Sequence, residues 1–267
     1  VPNPRIEQIL TSHRRDMYGL ADNELGEVRH YVGLAADDVQ RFLTRLQELE
    51  ATWGEGGRAL LLQEINRGTS NWDHLWAGLS AMIAEFMTKS VEGGWEIGVE
   101  VATEIAAHVG ETVPHVSQIR STVDVLRESV IPFADDATML IENRVRGELV
   151  RGVLAGEDVA TISRRLIGAG LDTQGTPWKT ALARARATIR TETSRAYHTA
   201  LLERFDKAEW ITGYQWICFF RGEWPCSTCA PRHGRFYVKG ATPMIPAHPN
   251  CACGLWPVTK AYGKHSI

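Results

Sequence analysis

Residues 226–229 read Cys226-Ser227-Thr228-Cys229, and residues 248–253 read His248-Pro249-Asn250-Cys251-Ala252-Cys253. A Cys-x-x-Cys turn brings two sulfurs within reach of one tetrahedral ion. A second Cys/His turn about twenty residues later supplies the rest of such a shell. Five donors compete for four places. Cys226, Cys229, His248 and Cys251 form two pairs, each with two intervening residues. Cys253 is able to replace either His248 or Cys251, and His233 is a candidate from outside the clusters. Thiolate and imidazole together suit zinc. A shell of four protein ligands has no open position, so the expected role is structural: the ion ties two loops together where a core is missing. The competing reading is disulfide pairing within or between the clusters. A thioredoxin-like redox motif expects a βαβ unit beside it, and no such pattern flanks these cysteines.

Around the clusters the chain changes character. Tyr214, Trp216, Cys218 and Phe220 alternate as strand residues do, and residues 235–238 form a second short strand candidate. Cys218 shares that alternation, so it is expected in the core as a small hydrophobe. Pro, Gly, Cys and His crowd the remainder. Residues 214–258 are too few and too rich in loops to hold together by hydrophobic burial alone.

Upstream, the periodicity is helical. Ile6, Ile9, Leu10 and His13 open it. Asp37 or Asp38 is placed to cap a helix carrying Val39, Phe42, Leu43, Leu46 and Leu49. Trp72, Trp76, Leu79 and Ile83 continue the spacing, Gly93-Gly94 is expected to break or kink it, and Ile97, Val101, Ile105 and Val109 repeat every four residues. Trp53, Trp72, Trp76 and Trp95 serve either as core or as a partner surface. A boundary is expected in residues 129–136, which contain Pro132. Beyond it come a helix over 139–154, a short amphipathic helix stopped by Gly168 and Gly170, and a long helix from Trp178 to about Glu209. The fold class is therefore mainly α. A helical N-terminal region, 1–130, precedes a C-terminal domain, 131–267, that combines helices with a small β and loop tail.

Composition narrows the function. The chain has 267 residues, 44% hydrophobic and 23% charged, which excludes wholesale disorder. All five cysteines lie after residue 217, so no disulfide scaffold runs through the fold. The uncharged stretch 240–259 carries four prolines and is no membrane span, and Val1-Pro-Asn-Pro-Arg5 does not read as a signal peptide. No phosphate-binding Gly-rich loop, HExxH or GxSxG motif occurs. Glu192 has basic neighbours and suits ion pairing better than acid–base catalysis. The net charge of −3 conceals an asymmetry, +8 from Lys179 onward against −11 before it. A basic end points to an anionic partner or to docking on acidic surface. If the partner is DNA, Arg184, Arg186, Arg190, Arg195, Arg232, Arg235 and Lys239 are the candidates for neutralising phosphates.

Three pieces, in order, resemble one known family. They are the helix–Gly–helix run around Gly156, the helix Ile189-Arg-Thr-Glu192-Thr-Ser-Arg195-Ala-Tyr197, and the tail with Trp216, Cys226-x-x-Cys229, Gly234 and His248-Pro-Asn-Cys251-Ala-Cys253. Together, over about residues 140–258, they resemble the phage Mu F-like minor head proteins, the head morphogenesis proteins of tailed bacteriophages. The chain departs from the family's pattern at Ala252, where Arg is common, and at His198, where Asn is common. The resemblance implies a non-enzymatic minor capsid protein acting in head assembly and in DNA packaging or ejection. Its implied partners are the portal protein, the major capsid or scaffolding protein, and packaged DNA. Its implied place is the capsid interior near the portal vertex, after assembly in the host cytoplasm, with no membrane association. Two other classes stay open at this stage. One is a metal-dependent hydrolase or nucleotide-modifying effector, which needs an open metal position. The other is a zinc-ribbon regulator that binds nucleic acid.

Overall fold

The computed structural model describes residues 3–114, 119–168, 170–219 and 226–260. It is mainly helical, 72% helix, with a small three-stranded sheet near the C-terminus, as the sequence led us to expect. The described helices are α1 (Pro4–Trp53), α2 (Arg58–Ser70), α3 (Asp73–His108), α4 (Ile119–Leu154), α5 (Val159–Leu166) and α6 (Pro177–Phe205). The strands are β1 (Ile211–Cys218), β2 (Phe236–Val238) and β3 (Cys253–Thr259).

Several expected interruptions do not occur. Asp37 and Asp38 cap nothing, because α1 runs through them; Asp38 instead pairs with Arg41 on the helix surface. Gly93-Gly94 lies within α3, since neither glycine is followed by a residue that cannot continue a helix. Pro132 lies inside α4. It sits on an exposed face, where water can satisfy the carbonyl that its missing N–H leaves free. β3, which contains Pro257, was not among the expected strands. The strand order is β2-β1-β3, so β3 is an edge, and an edge strand tolerates a missing ladder donor.

The chain forms two compact units, each assembled from separate segments. One comprises residues 1–24, 87–129 and 187–267, and the other 25–86 and 130–186. The chain passes between the units at 24/25, 86/87, 129/130 and 186/187, so each unit draws residues from both sides of the boundary expected at 130/131.

The second unit is helical throughout. Val32, Val39, Leu43 and Leu46 of α1 supply its core with Ile65, Ile83, Ile141, Val145 and Leu149. Asp158 caps α5 by accepting from the Thr161 N–H at 2.7 Å. The Trp178 indole N–H donates to the Leu166 carbonyl at 3.0 Å, closing the Gly168–Gly175 connection over a buried ring.

The first unit packs α1's start, α3's second half and α6's second half against the sheet. Its core includes Ile9, Met17, Val101, Ile105, Leu201, Phe205, Tyr214, Trp216 and Leu255. Here the glycines of α3 have a purpose. A Cβ at Gly94 would lie 2.6 Å from the Thr193 carbonyl oxygen, and one at Gly98 would lie 2.4 Å from that of Tyr197. The absence of side chains lets α3 and α6 approach backbone to backbone. β1 pairs antiparallel with both neighbours, Tyr214 facing Tyr237 on β2 and Pro257 on β3. The last β1–β3 pair is Cys218 with Cys253, which delivers β3 into the cysteine cluster.

Candidate metal centre

Each cluster is a tight turn. In the first, the N–H groups of Cys229 and Ala230 donate to the Cys226 carbonyl at 3.0 and 2.9 Å. A one-turn 3-10 helix, Ala230–Arg232, follows. Gly234 then turns the chain at φ 77° and donates to the Trp216 carbonyl, tying the cluster to β1. In the second, Cys251 donates to the His248 carbonyl at 3.1 Å, and Asn250 takes the left-handed conformation at φ 57° that Asn tolerates better than most residues. The Asn250 N–H donates to Thr191 Oγ1 at 3.0 Å, and that hydroxyl in turn donates to the Ala187 carbonyl. Arg14 holds the same turn from α1, donating to the Ala252 carbonyl at 2.8 Å.

The donors gather as two triads that share one sulfur: Cys226, Cys229 and His248, and Cys229, Cys251 and Cys253. His248 Nε2 lies 3.1 Å from Cys226 Sγ and 3.2 Å from Cys229 Sγ. Cys229 Sγ lies 3.7 Å from Cys251 Sγ. Zinc–sulfur bonds of about 2.3 Å set tetrahedral edges of about 3.8 Å, so this spacing fits a shared ion. The His248 tautomer fits as well. Nδ1 faces the Pro249 carbonyl at 2.8 Å, so it holds the ring proton and leaves the Nε2 lone pair directed at the sulfurs. All five cysteines are free thiols.

Electrostatics favour thiolate at two positions. Burial pushes Cys226 up, but the backbone N–H groups of Cys229 and Thr228 and the nearby His248 outweigh it, so its pKa falls below the ordinary thiol value. The Cys253 thiol holds Cys251 down at about 5, helped by the backbone N–H groups of Cys253 and Ala247. Cys253 is correspondingly raised. Burial is the main cause that pushes Cys229 up to about 12. A cation bound among these sulfurs would reverse that last effect. Burial lowers His248, and the Pro249 carbonyl and the two cysteines raise it by more.

Cys253 has a second neighbour. Its Sγ lies 3.3 Å from that of Cys218, the residue opposite it on β1. Cys218 is buried as expected. His233 accepts from the Cys218 N–H and belongs to neither triad. Thr191 and Arg14, which hold the second turn, were not singled out from sequence. Thr191 lies in the Arg-Thr-Glu run, but nothing local marks it as the partner of a backbone group some sixty residues away.

The basic candidates are divided between the two units. Arg184 and Arg186 belong to the helical unit; Arg190, Arg195, Arg232, Arg235 and Lys239 belong to the other. Arg190 pairs with Asp22 at 2.5 Å, and Arg195 pairs with the buried Glu192 at 2.8 Å, the ion pair expected for that carboxylate. Lys239 donates to the Ala208 carbonyl, and Arg232 lies 5.2 Å from the Trp216 ring centroid. Arg184, Arg186 and Arg235 are exposed. Trp76 and Trp95 are buried.

The fold and the site define a class: a mainly helical chain whose small terminal sheet carries a Cys/His cluster able to hold a metal ion. No family model matches the chain, and no curated protein or solved structure matches it either.

Proposed function

We propose that this chain is a non-enzymatic minor head protein of a tailed bacteriophage, of the Mu F-like kind, with a tail held together by one structural zinc ion. The observation that carries this reading is the bond from the Asn250 N–H to Thr191 Oγ1. It joins the Arg-Thr-Glu helix to the His-Pro-Asn-Cys turn. Two pieces of the resemblance that lie far apart in sequence therefore meet as one construction. Three thiolates and one imidazole form a donor set suited to zinc. Cys226, Cys229, His248 and Cys251 would hold the ion, and Cys253 would remain beside Cys218. The ion would supply folding energy by fixing two loops that bury little apolar surface.

The non-enzymatic reading is supported by Glu192, which is buried against Arg195, and four protein ligands around the ion would leave no open position for a substrate. Within the head, the protein's partners would be the portal and the inner capsid or scaffold, in the capsid interior near the portal vertex. Contact with packaged DNA would fall mainly to Arg184, Arg186 and Arg235. Such contact would be independent of sequence and would weaken as salt rises. Mass spectrometry of purified particles from the source that encodes the chain tests the assignment. The protein is expected in the particles at few copies per portal. Its recovery only from the soluble, particle-free fraction would overturn the reading.

A further inference from the structure

The unit that carries the metal cluster also contains a groove of about 860 Å³, bordered by α3, the start of α4 and the end of α6. We infer that this groove receives a peptide segment of a partner protein, one that presents a carboxylate side chain between basic residues. This goes beyond the role proposed above and does not depend on it.

Among the described residues, two donors in the lining of the groove have no acceptor. Arg204 is 9% exposed, and its Nε is buried with no hydrogen-bond partner. Burial pushes its pKa below the ordinary guanidinium value. Trp95 lines the same groove, is 4% exposed, and its indole N–H is likewise buried without a partner. A guanidinium keeps its charge at any ordinary pH, so an unmatched buried one is costly. The carbonyls at the end of α6 offset part of that charge, but they leave the Nε–H unsatisfied. A carboxylate that accepts from the Arg204 guanidinium would complete the site, with Trp95 beside it in the lining.

The rim selects what carries that carboxylate. Glu92, Glu96 and Glu100 recur every four residues along α3, so they line one face at steps of about 6 Å. Arg127 is engaged by Glu92 at 3.1 Å and Asp124 at 3.3 Å. Glu96 and Glu100 are exposed, and among the described residues neither has an ion pair. A nucleic acid or a free phosphate would meet this acidic rim and be repelled. A peptide with a central carboxylate and a cationic residue on each side matches both floor and rim. Val99 and Val123 offer apolar contact between the two.

The test uses the full chain with ¹⁵N-labelled tryptophan, the Trp95 indole signal being assigned by its loss in Trp95→Phe. The probe is the blocked pentapeptide Lys-Leu-Asp-Leu-Lys. A shift of the Trp95 signal with a Kd of about 1 mM or tighter is expected. The same peptide with Asn in place of Asp should bind at least about tenfold weaker, the loss of one charged hydrogen-bonding partner. Arg204→Met should abolish binding while keeping or raising the melting temperature, because it removes an unmatched buried charge. Glu96→Gln with Glu100→Gln, at exposed positions that leave the fold intact, should weaken binding. No shift of the Trp95 signal, equal binding of the Asn peptide, or inorganic phosphate producing the same shift would each overturn the proposal.

Discussion

Replacing Gly98 with alanine should destabilise the protein, although alanine is the better helix former. In an exposed helix interior, Gly→Ala gains about 0.5–1 kcal/mol. Gly78 lies in the same helix, is exposed, and has nothing within 4 Å of where a Cβ would stand, so Gly78→Ala should show that gain. At Gly98 the added carbon would lie 2.4 Å from the Tyr197 carbonyl oxygen and 2.8 Å from Ala200 Cβ. Ordinary contact begins near 3.4 Å. The obstacle is helix backbone, which cannot rotate aside, so α3 and α6 must separate. Overpacking of this kind costs typically about 1–3 kcal/mol, which exceeds the propensity gain at all but its lower end. The propensity gain is common to both positions, so the two substitutions should differ by the overpacking cost, about 1–3 kcal/mol. Urea unfolding followed by circular dichroism measures both. A Gly98→Ala protein as stable as Gly78→Ala would show that α3 and α6 do not approach this closely.

Three further outcomes follow from single contacts. Tyr214→Phe removes a buried phenol that donates to Asp206 at 2.5 Å, and should cost about 1.5–3 kcal/mol by denaturant titration. Thr191→Val removes the acceptor of the Asn250 N–H and should cost about 1 kcal/mol while weakening metal retention in a competition with a chelator. His198 is fully enclosed. Burial holds its pKa down at about 4, below the ordinary 6.5, with the Ser194 carbonyl opposing and Arg14 adding to the lowering. Its stabilising contribution is therefore complete above pH 6.5 and is lost as the pH falls toward 4, an effect on the order of 3 kcal/mol. Melting curves across that range should fall more steeply for the wild type than for His198→Asn, and parallel curves would contradict the buried, neutral imidazole.

Much of the second unit was legible because its stripes follow one period. Val39, Leu43 and Leu46 recur on a helix face with no competing signal, and all three are buried. Helix breaks were read in the wrong places because sequence alone cannot say what stands opposite a glycine or proline. Gly94 looks like a weak point until α6 is placed against it. Pro132 looks like an end until its exposed face supplies the solvent that makes it tolerable. The cysteine clusters were legible from spacing, since a two-residue gap forces two donors into one turn. Which donors gather with which was not legible: Cys229 is shared between two triads, one with Cys226 and His248 and one with Cys251 and Cys253, and β3 pairing with β1 also sets Cys253 opposite Cys218. The groove beside Arg204 left no trace in the sequence, because its carboxylates and its guanidinium lie about a hundred residues apart.

The central claim is that Cys226, Cys229, His248 and Cys251 close around one zinc ion. X-ray absorption at the zinc edge, on full-length protein whose metal content is measured in the same sample, tests it most directly. The account predicts one zinc per chain with three sulfurs at about 2.3 Å and one nitrogen at about 2.0–2.1 Å, unchanged in Cys253→Ser and lost in Cys251→Ser. A protein purified without chelators that carries no stoichiometric zinc, or a shell that keeps three sulfurs in Cys251→Ser, would contradict it.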